Sequence, residues 1–289
     1  MRFPSVLLAA LLLTPLAACA QEPPAPPEGE SHTDEQYADD MAREHAGETP
    51  EASGAAEGTP AQEVVTREIT YATIDGQDVT GYLARPARGG ETAPGLIVIH
   101  EWWGVNDNVR QMTEKLAGEG YQALAVDLYQ GRSADSPERA RELTQSVDDE
   151  AAESNLRQAY RYLLGHGAKQ VGVIGWCFGG GWSLRTALAM PEEIDATVIY
   201  YGRLITDRDE LATLEMPILG LFGAEDQGIP VESVREFESV LKDLGKDAEI
   251  HVYDGADHAF ANPSGQRYQA EAAEDAWQQT TEFLAEHLK

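Results

Sequence analysis

The stretch Gly175-Trp176-Cys177-Phe178-Gly179 places a cysteine between two glycines, directly after the apolar run KQVGVI and before a segment with a helical pattern. A nucleophile of an acyl-transfer enzyme is held in this way, on a sharp turn from a strand into a helix. The glycines are needed because side chains there would collide across so tight a turn. Free backbone N–H groups at the start of the helix favour a thiolate and a developing oxyanion. The pattern therefore predicts a nucleophilic Cys177 rather than the small core residue that a free cysteine often is.

A thiol needs a nearby base or cation to react quickly at neutral pH. His258 lies in a loop after the last predicted strand, and Asp226 precedes it by one helix and one strand, so the chain order is nucleophile, acid, histidine. Asp226 is alternatively a turn or helix-capping residue, and the neighbouring acids Glu225 and Asp257 are expected to be exposed. His100 is a weaker rival for the base, expected as a strand-end residue. The remaining histidines fit less well: His32 and His45 in a polar N-terminal segment, His166 in a turn, His251 in a strand and His287 near the C-terminus.

The elements that must position these residues begin near Glu63. Two alternating segments, EVVTREITYATI and VTGYLARP, predict a strand pair joined at Asp75-Gly76. Beyond Pro94, short apolar runs without polar alternation are each followed by a helical pattern, which predicts a mostly parallel sheet covered by helices on both faces, the α/β class. The predicted helices cover about residues 108–119, parts of 136–165, 178–190, 231–244 and 266–287. Ligands of such sheets bind at the carboxyl ends of the strands, where Cys177, Asp226 and His258 fall.

Taken together, the motifs resemble the dienelactone hydrolase family of α/β hydrolases over residues 63–289. The likeness rests on His100-Glu101-Trp102-Trp103-Gly104, Asp127-Leu128-Tyr129, the 175–180 stretch, Asp226 and His258-Ala259-Phe260. It implies an α/β-hydrolase fold and a Cys177-Asp226-His258 triad, with Glu101 pairing with the thiol at rest and helping to deprotonate it. It also implies an oxyanion hole from the backbone N–H groups of Trp102 and Phe178. The implied reaction is hydrolysis of a small-molecule ester or lactone through a thioester, with no cofactor and no metal.

The substrate is less well specified than the reaction. Trp103 and its aromatic neighbours predict an aromatic-walled pocket. In the family's namesake two arginines bind the substrate carboxylate, a role that suits arginine. Arg132 corresponds to one of them with a spacing shifted by about one residue, and the second position is occupied by Asn262. The alternatives are a broader carboxylesterase or thioesterase, and a non-catalytic envelope binding protein on the same fold.

The first 62 residues predict export and tethering. Residues 1–19 combine one basic residue, a short apolar run and Leu16-Ala17-Ala18-Cys19, which resembles the lipobox of bacterial lipoproteins, where the cysteine is lipidated. An ordinary signal cleavage with an incidental Cys19 is the alternative. Residues 20–62 are rich in proline, glycine and acids and predict a disordered tether, in which residues 37–46 form at most a transient helix without a role. By resemblance to the bacterial sorting rule, Ala20 suggests the periplasmic face of the outer membrane.

The composition excludes some partners. The 289 residues carry a formal net charge of -29, which argues against nucleic acid and against direct adsorption to anionic lipid, because both require clustered Lys and Arg. With only two cysteines in the chain, a disulfide framework is not expected. The acidity is interpreted as a solubility feature, as in a saline habitat.

Overall fold

A computed structural model describes residues 34–50, 59–74 and 76–289. The chain divides into two units, residues 1–32 and 33–289. The predicted signal peptide and Cys19 belong to the first unit and lie outside the described residues. The same holds for part of the predicted tether, and the boundaries of those two segments stay predictions.

An eight-stranded sheet forms the centre of the second unit. Its strands are β1 (Val64–Ile74), β2 (Gln77–Pro86), β3 (Gly95–Ile99), β4 (Gln122–Val126), β5 (Val171–Trp176), β6 (Ala196–Tyr200), β7 (Ile218–Gly223) and β8 (Ala248–Tyr253). Their order is β1-β2-β4-β3-β5-β6-β7-β8. The pairs β1-β2 and β2-β4 are antiparallel and the others are parallel. Strands β3 to β7 are buried along their whole length, as expected when helices cover both faces of a parallel sheet, and the predicted α/β-hydrolase fold is confirmed.

The helices follow the strands as the hydrophobic pattern predicts. They are α1 (Asp34–Glu44), α2 (Asp107–Gly118), α3 (Pro137–Gln145), α4 (Asp149–Gly165), α5 (Phe178–Ala189), α6 (Arg208–Leu211), α7 (Val231–Asp243) and α8 (Ala270–Leu288). Several begin where a side chain caps the first turn: the oxygens of Asn106, Ser136 and Asp148 accept hydrogen bonds from the N–H groups three residues later at α2, α3 and α4. Among the described helices, none has the length and apolar character needed to cross a bilayer.

Helix α1 corrects, for residues 34–44, the prediction of a disordered tether with at most a transient helix. Its residues Tyr37, Ala38 and Met41 are buried, and His45, just beyond the helix, is buried as well. These positions lie at i, i+1, i+4 and i+8, which is one stripe of a helix. The apolar surface that orders the segment is supplied by the rest of the second unit, because α1 packs against α3 and Met41 contacts the sulfur of Cys177. A composition averaged over the whole segment conceals so short a stripe.

Candidate active site

The turn between β5 and α5 holds Cys177 in a strained backbone conformation. Its φ of 56° and ψ of -119° lie in the region that non-glycine residues rarely adopt. A Cβ atom on Gly175 would lie 2.1 Å from the carbonyl oxygen of Gly179, and one on Gly179 would lie 2.3 Å from that of Ile99. The N–H of Cys177 donates to the carbonyl of Tyr200 at 3.0 Å, which fixes the turn to the neighbouring strand. The two glycines are therefore required by close backbone approach, as the sequence pattern indicates.

His258 and Asp226 meet on the loops that follow β8 and β7. Nδ1 of His258 lies 2.8 Å from Oδ2 of Asp226, and both side chains are fully buried. Oδ1 of Asp226 accepts the N–H groups of Gly228 at 2.9 Å and Ile229 at 2.8 Å, so the carboxylate is held at both oxygens. Nε2 of His258 is buried without a hydrogen-bond partner among the described residues. The structure thus brings Asp226 and His258 together with Cys177, whose sulfur lies within 4.8 Å of a ring nitrogen of His258.

Electrostatics favour the charged forms of these three groups. Burial opposes a thiolate, but the positive charge of His258, together with that of His45, outweighs burial and lowers the pKa of Cys177 to about 5. Burial likewise opposes an imidazolium, but Asp226 and Cys177 raise the pKa of His258 well above its usual value. The pKa of Asp226 is lowered, because the interaction with His258 and two backbone N–H groups exceeds the effect of burial. A thiolate–imidazolium pair at neutral pH is the state that these shifts support.

Glu101 lies in the same buried cluster but has a different charge state. Its side chain is 4% exposed, and burial, reinforced by the charge of Cys177, raises its pKa to about 8. Nδ2 of Asn262 donates to Oε2 of Glu101 at 2.7 Å, while Oδ1 of Asn262 accepts the N–H of Ser264 at 2.8 Å. Asn262 therefore positions Glu101, and a protonated Glu101 at neutral pH has a proton to offer toward the cluster.

Of the two residues predicted for the oxyanion hole, Phe178 directly follows Cys177 and Trp102 packs against His45. Phe178 is the first residue of α5, so its N–H has no partner within the helix. Trp102 follows β3, and its carbonyl oxygen accepts the hydroxyl of Tyr129 at 3.0 Å, which holds the loop. Trp103 packs on Trp102 with ring centroids 4.9 Å apart. The ring of His100 stacks on Phe178 at 5.6 Å. Its Nε2 accepts the N–H of Leu128 at 3.2 Å and its Nδ1 lies 2.5 Å from the carbonyl of Glu101, so both ring nitrogens have backbone partners, as in the strand-end role expected for it.

Arg132 does not join the cluster. Its Nε donates to the carbonyl of Tyr129 at 2.8 Å and its Nη2 to Oγ of Ser146 at 3.3 Å. The side chain is exposed and borders a cavity of about 380 Å³ whose lining contains none of the triad residues. These contacts direct the guanidinium of Arg132 away from the triad residues, and its assignment to substrate binding stays a prediction.

A larger cavity of about 620 Å³ adjoins Phe178, one of the two residues predicted for the oxyanion hole. Its wall includes Tyr37 of α1, Trp182, Arg185 and Arg203. Arg185 is paired with Asp149 at 2.9 Å, and the guanidinium of Arg203 lies 5.9 Å from the ring centre of Tyr37. Aromatic walls with a cationic group are typical of a pocket for a small organic substrate, and the wall of this cavity reaches Phe178, the residue that follows Cys177.

Sequence reasoning missed three residues of the site. Met41 places its sulfur 3.8 Å from that of Cys177. The ring of His45 lies 4.7 Å from that of Trp102 and 5.6 Å from that of His258. Tyr201, with a φ of 34°, packs on His258 at 5.2 Å. The helical stripe in α1 was the available signal for the first two, and none pointed to Tyr201.

Two groups of side chains in the described residues have the donor atoms of a metal site. They are His45, Cys177 and His258, and Glu44, Asp226 and His258, with the atoms of each group within 4.8 Å of one another. Three of these five side chains already have partners, His258 and Asp226 each other and His45 the carboxylate of Glu48, so we assign both groups to the cluster around Cys177.

The fold and this cluster define an α/β hydrolase. The model of the dienelactone hydrolase family matches residues 79–288, and the chain belongs to that family. It is 31% identical to a "Putative carboxymethylenebutenolidase" of Saccharolobus solfataricus, over 75% of this chain and 97% of the relative. A protein of the same printed name from Synechocystis is 34% identical, over 77% and 98%. The crystal structure of a "Putative Dienelactone Hydrolase" from Klebsiella pneumoniae superposes with a TM-score of 0.72 at 31% identity, covering 78% of this chain and 99% of that one. The protein is a hydrolase of this family.

Proposed function

We propose that the enzyme hydrolyses an ester or lactone with Cys177 as the nucleophile, His258 as the acid–base and Asp226 as the orienting carboxylate. The observation that carries this proposal is the buried His258, which is hydrogen-bonded to Asp226 through Nδ1 and leaves Nε2 for the thiol. The same arrangement of nucleophile, histidine and acid recurs on unrelated folds that transfer acyl groups.

The proposed reaction has two halves. The Cys177 thiolate attacks the carbonyl carbon, and the developing oxyanion accepts hydrogen bonds from the N–H groups of Trp102 and Phe178. Collapse of the intermediate breaks the ester bond, and the imidazolium of His258 protonates the leaving oxygen. His258 then takes a proton from water, which attacks the thioester, and the carboxylic acid product leaves with the thiolate restored. In the resting enzyme the protonated carboxyl of Glu101 serves as a hydrogen-bond donor within the cluster around Cys177.

The decisive experiment is to capture the thioester. Cys177→Ala should abolish turnover of an activated ester, and mass spectrometry of rapidly quenched wild-type enzyme should find the acyl mass on the peptide that contains Cys177. The matched control is Ser183→Ala, which removes a buried hydroxyl from the same helix, where it bonds a backbone carbonyl. Turnover that persists in Cys177→Ala would refute the mechanism.

The substrate proposal begins with the names of the relatives. Carboxymethylenebutenolidase is the name that several of them carry, which supports a lactone with a carboxylate as one substrate class. We propose that such a substrate binds in the 620 Å³ cavity, where Arg203 supplies the positive charge. A broader carboxylesterase or thioesterase is the second candidate. It is favoured by Asn262, whose amide is engaged with Glu101 at a position where the resemblance places a substrate-binding arginine.

A panel of matched esters separates these candidates. A carboxylated lactone with a higher kcat/KM than its neutral counterpart supports the first, and the reverse order supports the second. A non-catalytic binding protein would turn over neither, and its Cys177 would be alkylated no faster than an ordinary free thiol.

We also propose that the mature protein is anchored to the bacterial cell envelope by lipid on Cys19, with its catalytic unit in the periplasm at the outer membrane. The proposal rests on Leu16-Ala17-Ala18-Cys19. An acyl chain contributes about 0.8 kcal/mol per buried CH2, whereas so acidic a chain has little attraction to the bilayer. Cys19→Ala should release the protein from the membrane fraction, and equal retention of this variant would contradict the anchor.

A further inference from the structure

Residues 34–50 cover the proposed nucleophile. Cys177 is 1% exposed, and the thioether sulfur of Met41 contacts its sulfur at 3.8 Å. His45, only 3% exposed, lies just beyond the end of α1. A segment outside the region that matches the family model therefore contributes side chains to the active site.

His45 makes the same kind of contact with a carboxylate as the triad histidine does. Nδ1 of His45 lies 2.6 Å from Oε2 of Glu48, and Nδ1 of His258 lies 2.8 Å from Oδ2 of Asp226. In both pairs the carboxylate engages Nδ1. Nη2 of Arg267 also lies 2.9 Å from Nδ1 and 3.4 Å from Nε2 of His45. The donor atoms of His45, His258 and Cys177 lie within 4.8 Å of one another. Two imidazole–carboxylate pairs therefore converge on one thiol.

The position of His45 is fixed from several directions. Nη1 of Arg267 donates to the backbone carbonyl of Glu44 at 2.9 Å, and its Nη2 lies 3.4 Å from Oε1 of Glu48. The ring of His45 packs against Trp102 at 4.7 Å and against the edge of Trp103 at 5.8 Å. Arg267 lies between β8 and α8, so this distant part of the chain positions both the segment of residues 34–50 and the carboxylate of Glu48.

We propose that His45, oriented by Glu48, is a second acid–base partner of Cys177 and helps to hold the nucleophile as a thiolate. The inference rests on the proposed role of Cys177. In the resting enzyme the S–H bond breaks and an N–H bond forms on an imidazole, so the net charge of the cluster does not change. The proton released by the thiol is shared between His45 and His258. It resides on His258 at the step in which the leaving group is protonated.

The charges around His45 support this role. Burial lowers the pKa of His45, but its interactions with Cys177 and Glu48 outweigh burial and raise the pKa above its ordinary value. His258 opposes the second positive charge, as does the neighbouring Arg267. The other titratable groups of the cluster are Tyr37, Glu44, Glu101 and Asp226.

The test is the pH dependence of Cys177 alkylation by iodoacetamide in the full-length chain, followed by mass spectrometry of the Cys177 peptide. The midpoint of this profile reports the pKa of the thiol, whereas the plateau at high pH also reports access to it. We expect the midpoint to rise by about one pH unit in His45→Ala, a tenfold loss of thiolate below the midpoint. Glu48→Gln should move it in the same direction by less, because the imidazole remains. His166→Ala removes an exposed histidine and should change nothing.

The two variants also separate a charge effect from a steric one. If His45 only shields the thiol, His45→Ala raises the plateau and leaves the midpoint where it is, and that result would overturn the inference. If His45→Ala displaces the whole segment of residues 34–50, the plateau should rise strongly. In that case the midpoint of Glu48→Gln, which keeps the packing of His45 on Trp102, distinguishes a charge effect from a steric one. If Cys177→Ala abolishes turnover while both midpoints stay unchanged, this inference fails and the proposed function stands. If Cys177→Ala retains turnover, both fail.

Discussion

Asp226→Asn tests the proposed catalytic cluster at its most constrained point. In the folded protein Oδ1 of Asp226 accepts the buried N–H groups of Gly228 and Ile229. An asparagine must present its amide oxygen to these two donors, because an NH2 group there would face N–H groups. The NH2 group then faces Nδ1 of His258, in the place of the carboxylate oxygen at 2.8 Å. The variant therefore keeps its backbone hydrogen bonds and changes only the group that faces Nδ1 of His258, from an acceptor to a donor.

The effect on catalysis follows from this orientation. Nδ1 of His258 becomes an acceptor, so the proton of the neutral ring moves to Nε2, and Nε2 can no longer take the proton of the thiol. The lost charge-assisted hydrogen bond alone is worth about 1.5 to 3 kcal/mol. Since about 1.4 kcal/mol is a factor of ten, kcat/KM should fall by at least about 10- to 150-fold, and the altered tautomer adds to that loss.

The pH profile supplies the second measurement. Without the carboxylate the pKa of His258 falls, its proton returns to the thiolate, and the pKa of Cys177 rises from about 5 toward its ordinary value. The midpoint of Cys177 alkylation should therefore shift upward, with activity lost first at the acid end. Glu225→Gln is the matched control, because it removes the same charge one residue earlier from an exposed side chain. Unchanged kcat/KM and an unchanged midpoint in Asp226→Asn would refute the assignment of this pair.

Three further predictions follow from contacts around the site. Met41→Ala should speed iodoacetamide alkylation of Cys177 on the high-pH plateau, because the thioether contact at 3.8 Å blocks access to the sulfur. An unchanged plateau would show that another group blocks access. Gly175→Ala should prevent stable folding, measured by Tm and soluble yield, since its Cβ would lie 2.1 Å from a backbone carbonyl oxygen; a native Tm would contradict the packing described for this turn. Arg203→Ala should lower the kcat/KM ratio of a carboxylated to a neutral ester by about tenfold or more, because one charge-assisted hydrogen bond is lost. Arg132→Ala should leave this ratio unchanged. The opposite result would restore Arg132 as the substrate ligand.

The residues at the turn from β5 into α5 and at the ends of the neighbouring strands were predictable because their constraints are local. The turn from β5 into α5 requires glycines at 175 and 179 wherever the surrounding sheet lies, and a strand followed by a polar loop at its carboxyl end positions Asp226 and His258 at the same edge. The unalternating apolar runs predict buried parallel strands for the same reason, since both faces of each strand must be covered. The fold class and the proposed triad could therefore be inferred without coordinates.

The roles of His45 and Asn262 depend on the tertiary structure. Residues 34–50 have too little apolar surface to order themselves, and the cleft that buries Met41 and His45 is assembled from strands and loops more than fifty residues away in sequence. Asn262 was considered only as a missing arginine, while the folded chain uses its amide to hold Glu101. Arg132 was assigned by spacing, and the loop geometry directs its guanidinium to Tyr129 and Ser146 instead. Sequence determines an element whose partners are its own neighbours in the chain; which distant segment fills the remaining surface of a site is decided by packing.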